Sequence, residues 1–289
     1  MSQSTITIED IVKKTADLPT IPAAAVRVMQ AAESSTSTAA SVAQILSADQ
    51  SLSARVLRLA NSAFYGLSRK VNDLQEAVVI LGMRNIKNLA LVAGTYPWMS
   101  RPLPGYCLGP RAMWTHAFGT AVGAQQVARV SGKVKDDVAF TAGLLHDIGK
   151  VAVSVWLENK VVAILNYANR EGISFDEAER KILGYDHTQV GEHLAKAWNL
   201  PEDLVAAVRW HHSPDEAPDN PPLVDCVHLG NYLTMTMGFG LGGDGLLYRF
   251  SEGSLDRLGM KAVDLDQTTD TFVESYEQYE KLFEELVAA

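Results

Sequence analysis

The sequence predicts an all-α protein of two helical lobes, and three observations predict it. Apolar residues recur at three- and four-residue spacing along most of the chain. No convincing run alternates apolar and polar residues as a half-buried strand would. One stretch, residues 97–110, carries Pro97, Pro102, Pro104, Gly105, Gly109 and Pro110 and interrupts the helical pattern.

After Pro22, the residues Ala25, Val26, Val28, Met29 and Ala32 share one face of a first helix. The Ser/Thr-rich residues 34–41 break it and cap the next one. Val42, Ile45 and Leu46, then Leu52, Val56, Leu57 and Leu59, give two further short helices. Asn61, Ser62, Tyr65 and Gly66 mark a turn. Residues 74–81 and 86–93 continue as helices separated by Gly82. The second lobe resumes with helices over 113–130, 137–157, 161–170, 175–183, 187–198, 202–211 and 223–237. Residues 238–245, GFGLGGDG, are a flexible loop without the Lys-Ser/Thr of a phosphate-binding loop. Residues 268–287 read as a final acidic helix, with Phe272, Tyr276, Tyr279 and Phe283 as a stripe for the protein's own body or for a partner. The expected organisation is a helical lobe over 1–96, a connection over 97–110, and a second helical lobe over 111–289.

Composition sets the limits. The chain has 289 residues, 47% hydrophobic and 20% charged, enough apolar material to exclude global disorder. Lys+Arg 25 against Asp+Glu 34 gives −9, which argues against broad electrostatic binding to nucleic acid. Apolar runs such as 77–81 and 89–93 fall short of the roughly 20 residues a membrane span needs. The start, MSQSTITIED, has neither the basic nor the apolar region of a secretory signal. Cys107 and Cys226 form no metal-binding or disulfide pattern. The expectation is a cytoplasmic protein that does not bind membranes.

All 7 histidines lie in the second lobe: His116, His146, His187, His193, His211, His212 and His228. His146 stands out because GLLHDIGK sets it beside Asp147 among Leu144, Leu145, Ile148 and Val151. Burying an imidazole and a carboxylate together is costly unless something compensates their desolvation. A metal cation is one way, and a hydrogen-bonded core network is the other. A metal would draw His146 and Asp147 together with His116, His187 and His211 or His212 from other helices, an N/O shell suited to Mn, Fe, Zn or Mg. Lys150, one turn after His146, is placed to neutralise a phosphate oxygen. His193 and His228 read as structural. So do Asn61 and Ser62, as helix terminators, and Arg55 and Arg58, as a solvated face. The five tryptophans are scattered and read as core packing.

GLLHDIGK, with His116 upstream and His187 and His211-His212 downstream, resembles the HD superfamily of metal-dependent phosphohydrolases, closest to its HD-GYP branch, which cleaves cyclic di-GMP. The first lobe narrows this. LPTIPAAAVRVM, ILSADQSLSARVLRLANSAFYG and AVVILGMRNIKNLAL are similar to the HDOD family, which joins a helical N-terminal lobe to an HD-like lobe. The likeness runs over about residues 17–228 and is most specific over 49–66.

The HDOD resemblance implies a bacterial signal-transduction module that binds a signalling protein partner or a nucleotide ligand and is not an enzyme. Typical members have lost the metal ligands. This chain departs by retaining His116, His146, Asp147, His187, His211 and His212 at the HD-GYP metal positions, with Lys150 at its lysine. That implies one or two divalent ions of Fe, Mn, Zn, Ni or Mg. It also keeps open a phosphohydrolase acting on a nucleotide or cyclic dinucleotide, with Asp147 and Lys150 catalytic. Two departures weigh against turnover. Asn231 stands where the last carboxylate ligand is expected, and SPDEAPDNPP comes after His212 in place of the GYP loop.

Overall fold

Five helix starts in the computed structural model fall where a short polar side chain, that of Thr38, Asp49, Ser174, Asp186 or Ser251, satisfies free backbone N–H groups. The structure describes residues 7–8, 10–11, 22–34, 36–157, 159–219, 221–245 and 247–287. Among them the fold is all-α, with one isolated antiparallel bridge between Leu103 and Leu108. The chain divides into two compact units, Pro19–Trp98 with Val273–Ala289, and Met99–Phe272 with Met1–Leu18.

In the first unit, α1 (Ala23–Glu33) precedes α2 (Ala39–Ser47), which opens on a reciprocal cap between Thr38 and Ser41. Asp49 caps α3 (Gln50–Ala60) through the Leu52 N–H. Asn61 then holds the turn: its amide donates to the Leu57 and Val71 carbonyls, and its carbonyl accepts the Val71 N–H. Arg55 donates to the Ala93 carbonyl at 2.8 Å, so it braces the fold. Helix α4 (Leu74–Met99) breaks at Gly82, whose φ of 81° and ψ of 158° lie outside helical space. An L-residue pays heavily for that φ and glycine does not, which is why the separation falls there.

The second unit starts with a 3-10 turn, Pro104–Tyr106. Helices α5 (Ala112–Ser131), α6 (Asp136–Leu145), α7 (Ile148–Leu157) and α8 (Val161–Glu171) come after it. Next are α9 (Phe175–Leu183), α10 (His187–Ala197), α11 (Glu202–Trp210) and α12 (Pro222–Thr236). Helix α13 (Glu252–Leu258) leads to α14 (Ala262–Val287), whose last part, from Val273, groups with the first unit. Of its expected stripe, Phe272 and Tyr276 are buried, and the side chain of Phe283 lies outside the described residues.

Two packing contacts position the histidine-bearing helices. Helix α5 lies between α6 and α12, and α7 lies on α10. At the second contact a Cβ on Gly149 would sit 1.9 Å from the His187 carbonyl oxygen. Only glycine permits that approach. The expected single helix over 137–157 is two, because the backbone turns at His146 and Asp147. The apolar residues on both sides of the turn concealed it.

Two stretches exceed what counting apolar runs suggests. Leu74–Met99 and Asp136–Leu157 each reach a mean hydropathy of 1.3 over a window long enough to span a membrane, and those windows are 56% and 83% buried within the fold. Each is interrupted, at Gly82 and at His146–Asp147.

Candidate metal centre

The six predicted ligands converge in the second unit, and Asp147 is their hub. Its Oδ2 lies 3.4 Å from His116 Nε2 and 3.2 Å from His146 Nε2. Its Oδ1 lies 3.4 Å from His187 Nε2 and 3.5 Å from His211 Nε2. His212 completes the second set, with Nε2 3.2 Å from His187 Nε2. The donor atoms of Asp147, His187, His211 and His212 all lie within 4.8 Å of one another, as do those of His116, His146 and Asp147.

Helix termini aim these imidazoles. His146 and His211 are the C-cap residues of α6 and α11. The last turn of a helix leaves carbonyls unpaired. Each histidine satisfies one three residues back: His146 Nδ1–H donates to Gly143 at 2.7 Å, and His211 Nδ1–H to Val208 at 2.9 Å. The proton is thereby fixed on Nδ1, and the Nε2 lone pair points inward. His187 is the first residue of α10 after its N-cap, Asp186. Its Nδ1 donates to Glu179 Oε2 at 2.6 Å and its backbone N–H to the same oxygen at 3.2 Å. Tyr106 donates to the other oxygen of Glu179 at 2.6 Å.

The fit to a cation rests on the atoms left over. His146 Nε2, His211 Nε2 and Asp147 Oδ1 are buried without a hydrogen-bond partner. His146 Nε2 and His211 Nε2 are acceptors in these tautomers and face the oxygens of Asp147, so those contacts are unfavourable until a cation lies among them. Asn231 Oδ1 is a fourth buried acceptor without a partner, on the wall of the same cavity. The donors are imidazole nitrogens and carboxylate oxygens. Both cysteines lie elsewhere, Cys107 exposed and Cys226 buried on α12, so this is not a thiolate site.

Charge in the cluster is arranged to match. Burial, then the Lys150 charge, lowers His116 to about 3. Burial lowers His211 to about 4 and holds His212 well below the ordinary range. These stay neutral, as ligands must. Burial opposes the charged form of His187, but Glu179 and Asp147 outweigh it and raise the imidazole to about 10. Burial likewise works against the Asp147 carboxylate, and His146 and Lys150 hold it well below the usual carboxylate range. A cavity of ≈ 60 Å³ opens from the cluster, lined in part by His116, Lys150, His187, His212 and Asn231. That is room for ions with a few waters or one phosphate group. It is far below the roughly 300–1,000 Å³ that encloses a drug-sized ligand.

Lys150 is buried beside the cluster. Its Nζ donates to Asp147 Oδ2 at 2.5 Å and also pairs with Asp244. His193 is exposed and bonds the Gln189 carbonyl. His228 is fully buried, facing the His211 carbonyl at 2.8 Å and accepting the Ser251 N–H, so it supports the backbone of His211 from behind. Sequence reasoning missed Tyr106, Glu179 and Asp244. The one signal for Asp244 is that it is the single acid in a run of glycines.

An all-α bundle that gathers imidazoles around one buried carboxylate defines a class, the helical domain with a candidate metal centre. The chain belongs to the HDOD domain family, whose sequence profile matches residues 18–214. Its structure is similar to an HDOD domain protein of unknown function from Geobacter sulfurreducens, with TM-score 0.78 and 24% identity over 95% of this chain and 96% of that one. It is also similar to a candidate phosphohydrolase from Shewanella amazonensis SB2B, with TM-score 0.69 and 26% identity over 96% of this chain and 97% of that one. An uncharacterized protein of Treponema pallidum (strain Nichols) is 26% identical over 242 residues, 82% of this chain and 45% of that protein. The chain thus spans about half the length of the curated relative it matches.

Proposed function

We propose that the chain is a signal-transduction module that holds a divalent metal at the Asp147 centre and senses an anionic ligand there. The observation that carries this reading is the set of buried, unpartnered acceptors: His146 Nε2, His211 Nε2 and Asp147 Oδ1. His116, His146, His187, His211, His212 and Asp147 would hold the metal. An imidazole-rich set favours Fe, Zn or Ni over Mg. When bound, the metal supplies Lewis acidity toward a phosphoryl oxygen. Glu179 orients His187, Lys150 offers positive charge to an anion, and the surrounding apolar helices exclude bulk water. The small cavity and the amide of Asn231 favour sensing over turnover, since a neutral ligand holds a second ion less firmly than a carboxylate.

Elemental analysis of protein purified without chelator, beside His146→Ala, tests this. Near-stoichiometric metal lost in the variant is expected. Background metal in both, after incubation with Mn or Fe, would leave the cluster as a core network and sink the proposal.

A second reading, a metal-dependent phosphohydrolase, is favoured by one feature. The ligands divide between the two oxygens of Asp147, His116 and His146 on one, His187 and His211 on the other. A carboxylate with histidines gathered at each oxygen would suit the holding of two metal ions, which would supply Lewis acidity to a phosphodiester. Turnover of bis(p-nitrophenyl) phosphate by metal-loaded protein, absent in Asp147→Asn, would establish it over sensing alone.

A further inference from the structure

Lys150 has two carboxylate partners of different origin. Asp147 belongs to the centre, whereas Asp244 arrives from the glycine-rich loop 238–245, 94 residues away. The loop is shaped to deliver it. Gly238 and Gly240 adopt φ of 77° and 63°, the left-handed region open to glycine. A Cβ on Gly240 would lie 2.2 Å from the Ala112 carbonyl oxygen and 2.7 Å from the His116 nitrogen. A Cβ on Gly242 would lie 2.4 Å from the Tyr106 carbonyl oxygen. The loop therefore threads between the start of α5 and the Pro104–Tyr106 turn, where a side chain would not fit. Within it, the Phe239 carbonyl faces His116 Nδ1 at 3.4 Å. Leu241 points outward, 45% exposed, while Asp244 is turned in and only 12% exposed.

The Lys150 side chain is 3% exposed, so the contacts of its ammonium group are set by these two carboxylates rather than by water. Asp147 is committed to the histidines. Asp244 is the one held by a loop instead of a helix. Its carboxylate lies on the wall of the ≈ 60 Å³ cavity, which has room for one phosphate group. A carboxylate and a phosphate oxygen are alternative acceptors for the same N–H groups, and a third anion at an ammonium that already faces Asp147 and Asp244 is repelled by both carboxylates.

We propose that Asp244 is a displaceable plug: it occupies, at Lys150, the position of an oxygen of a phosphate-bearing ligand, and the arrival of that ligand lifts the loop 238–245. The plug deepens the sensing reading above and rests on it. A dianionic phosphate facing both a metal and Lys150 outcompetes a single carboxylate. Ligand binding is thereby converted into movement of a segment at the surface, which is what a signalling module needs to present to a partner. Loop closure in the resting state also accounts for the small cavity.

The test is phosphate binding by isothermal titration to the metal-loaded protein of 289 residues, its Asp244→Asn variant and Lys150→Met. Asparagine keeps the size and removes the charge, so inorganic phosphate should bind Asp244→Asn at least ~10-fold tighter than the parent, and Lys150→Met should abolish binding. In the unmodified protein, saturating phosphate should speed chymotryptic cleavage after Phe239 or Leu241. Equal or weaker binding by Asp244→Asn overturns the plug. If that variant does not fold, the cleavage assay on the unmodified protein decides, and a rate unchanged or slowed by phosphate overturns it. Metal content of the same samples separates the two ideas. Stoichiometric metal without the phosphate gain sinks the plug alone, and background metal sinks the centre and the plug with it.

Discussion

Glu179 receives two N–H groups of His187 at the start of its helix, the Nδ1–H at 2.6 Å and the backbone N–H at 3.2 Å. The carboxylate thus fixes the rotamer of His187, its tautomer and the first turn of α10 together, while Tyr106 fixes the carboxylate. Outer partners of this kind typically contribute 10–100-fold to metal affinity. Glu179→Gln should weaken metal binding by about that factor while far-ultraviolet circular dichroism stays unchanged. Affinity equal to that of the parent would show that His187 needs no orienting partner.

The same contact sets a pH dependence. Glu179 and Asp147 hold His187 at about 10 against the opposing effect of burial. Near neutral pH the metal-free imidazole therefore carries a proton on Nε2, and a metal must displace it. Protonation opposes binding, so affinity rises as pH increases toward about 10 and falls as pH drops. Titration calorimetry in buffers of different ionisation enthalpy should register about one proton released per metal at pH 7. Release near zero would mean that His187 is already neutral.

Gly149 governs how close α7 comes to α10. A Cβ there would meet the His187 carbonyl oxygen at 1.9 Å and the Gly191 nitrogen at 2.7 Å, backbone atoms that cannot step aside. Gly149→Ala should cost at least ~1–3 kcal/mol, the usual penalty for overpacking a well-packed contact. It should also separate Asp147 from His187 and reduce metal content. Chemical denaturation and elemental analysis read the two effects. A variant that is as stable and as metal-rich as the parent would contradict the close approach.

How far the sequence carried the fold and the centre differs by residue. The helices were legible because amphipathic spacing and a Ser/Thr-rich cap, in which Thr38 lies, are local features. The ligands were legible because a histidine beside an aspartate amid leucines is costly in any fold, and the HD resemblance supplied the distant partners. Glu179 was not. In DEAERK it stands among four other charged residues, and nothing local tells which one turns inward. Asp244 was hidden for a different reason, since 94 residues separate it from Lys150 and its loop has no periodicity to read. The turn at His146–Asp147 escaped because apolar residues flank it on both sides.

The two cysteines report on the same unit without touching the centre. Cys107 is exposed, in the turn just after Tyr106. Cys226 is fully buried on α12, and burial, then the neighbouring Asp225 charge, pushes its thiol up to about 12. A buried thiol with so little thiolate reacts only when the packing opens. An aromatic disulfide reagent at pH 8 should therefore label one thiol quickly, none quickly in Cys107→Ser, and both after denaturation. Helix α12 also carries Asn231 and packs on α5, the helix of His116. A metal bound only by the folded unit suppresses its opening by the factor 1 + [M]/Kd. Slow labelling of Cys226 in Cys107→Ser should accordingly slow ~100-fold at a free metal concentration 100 times the dissociation constant. A rate insensitive to metal would show that opening at α12 is not coupled to the centre.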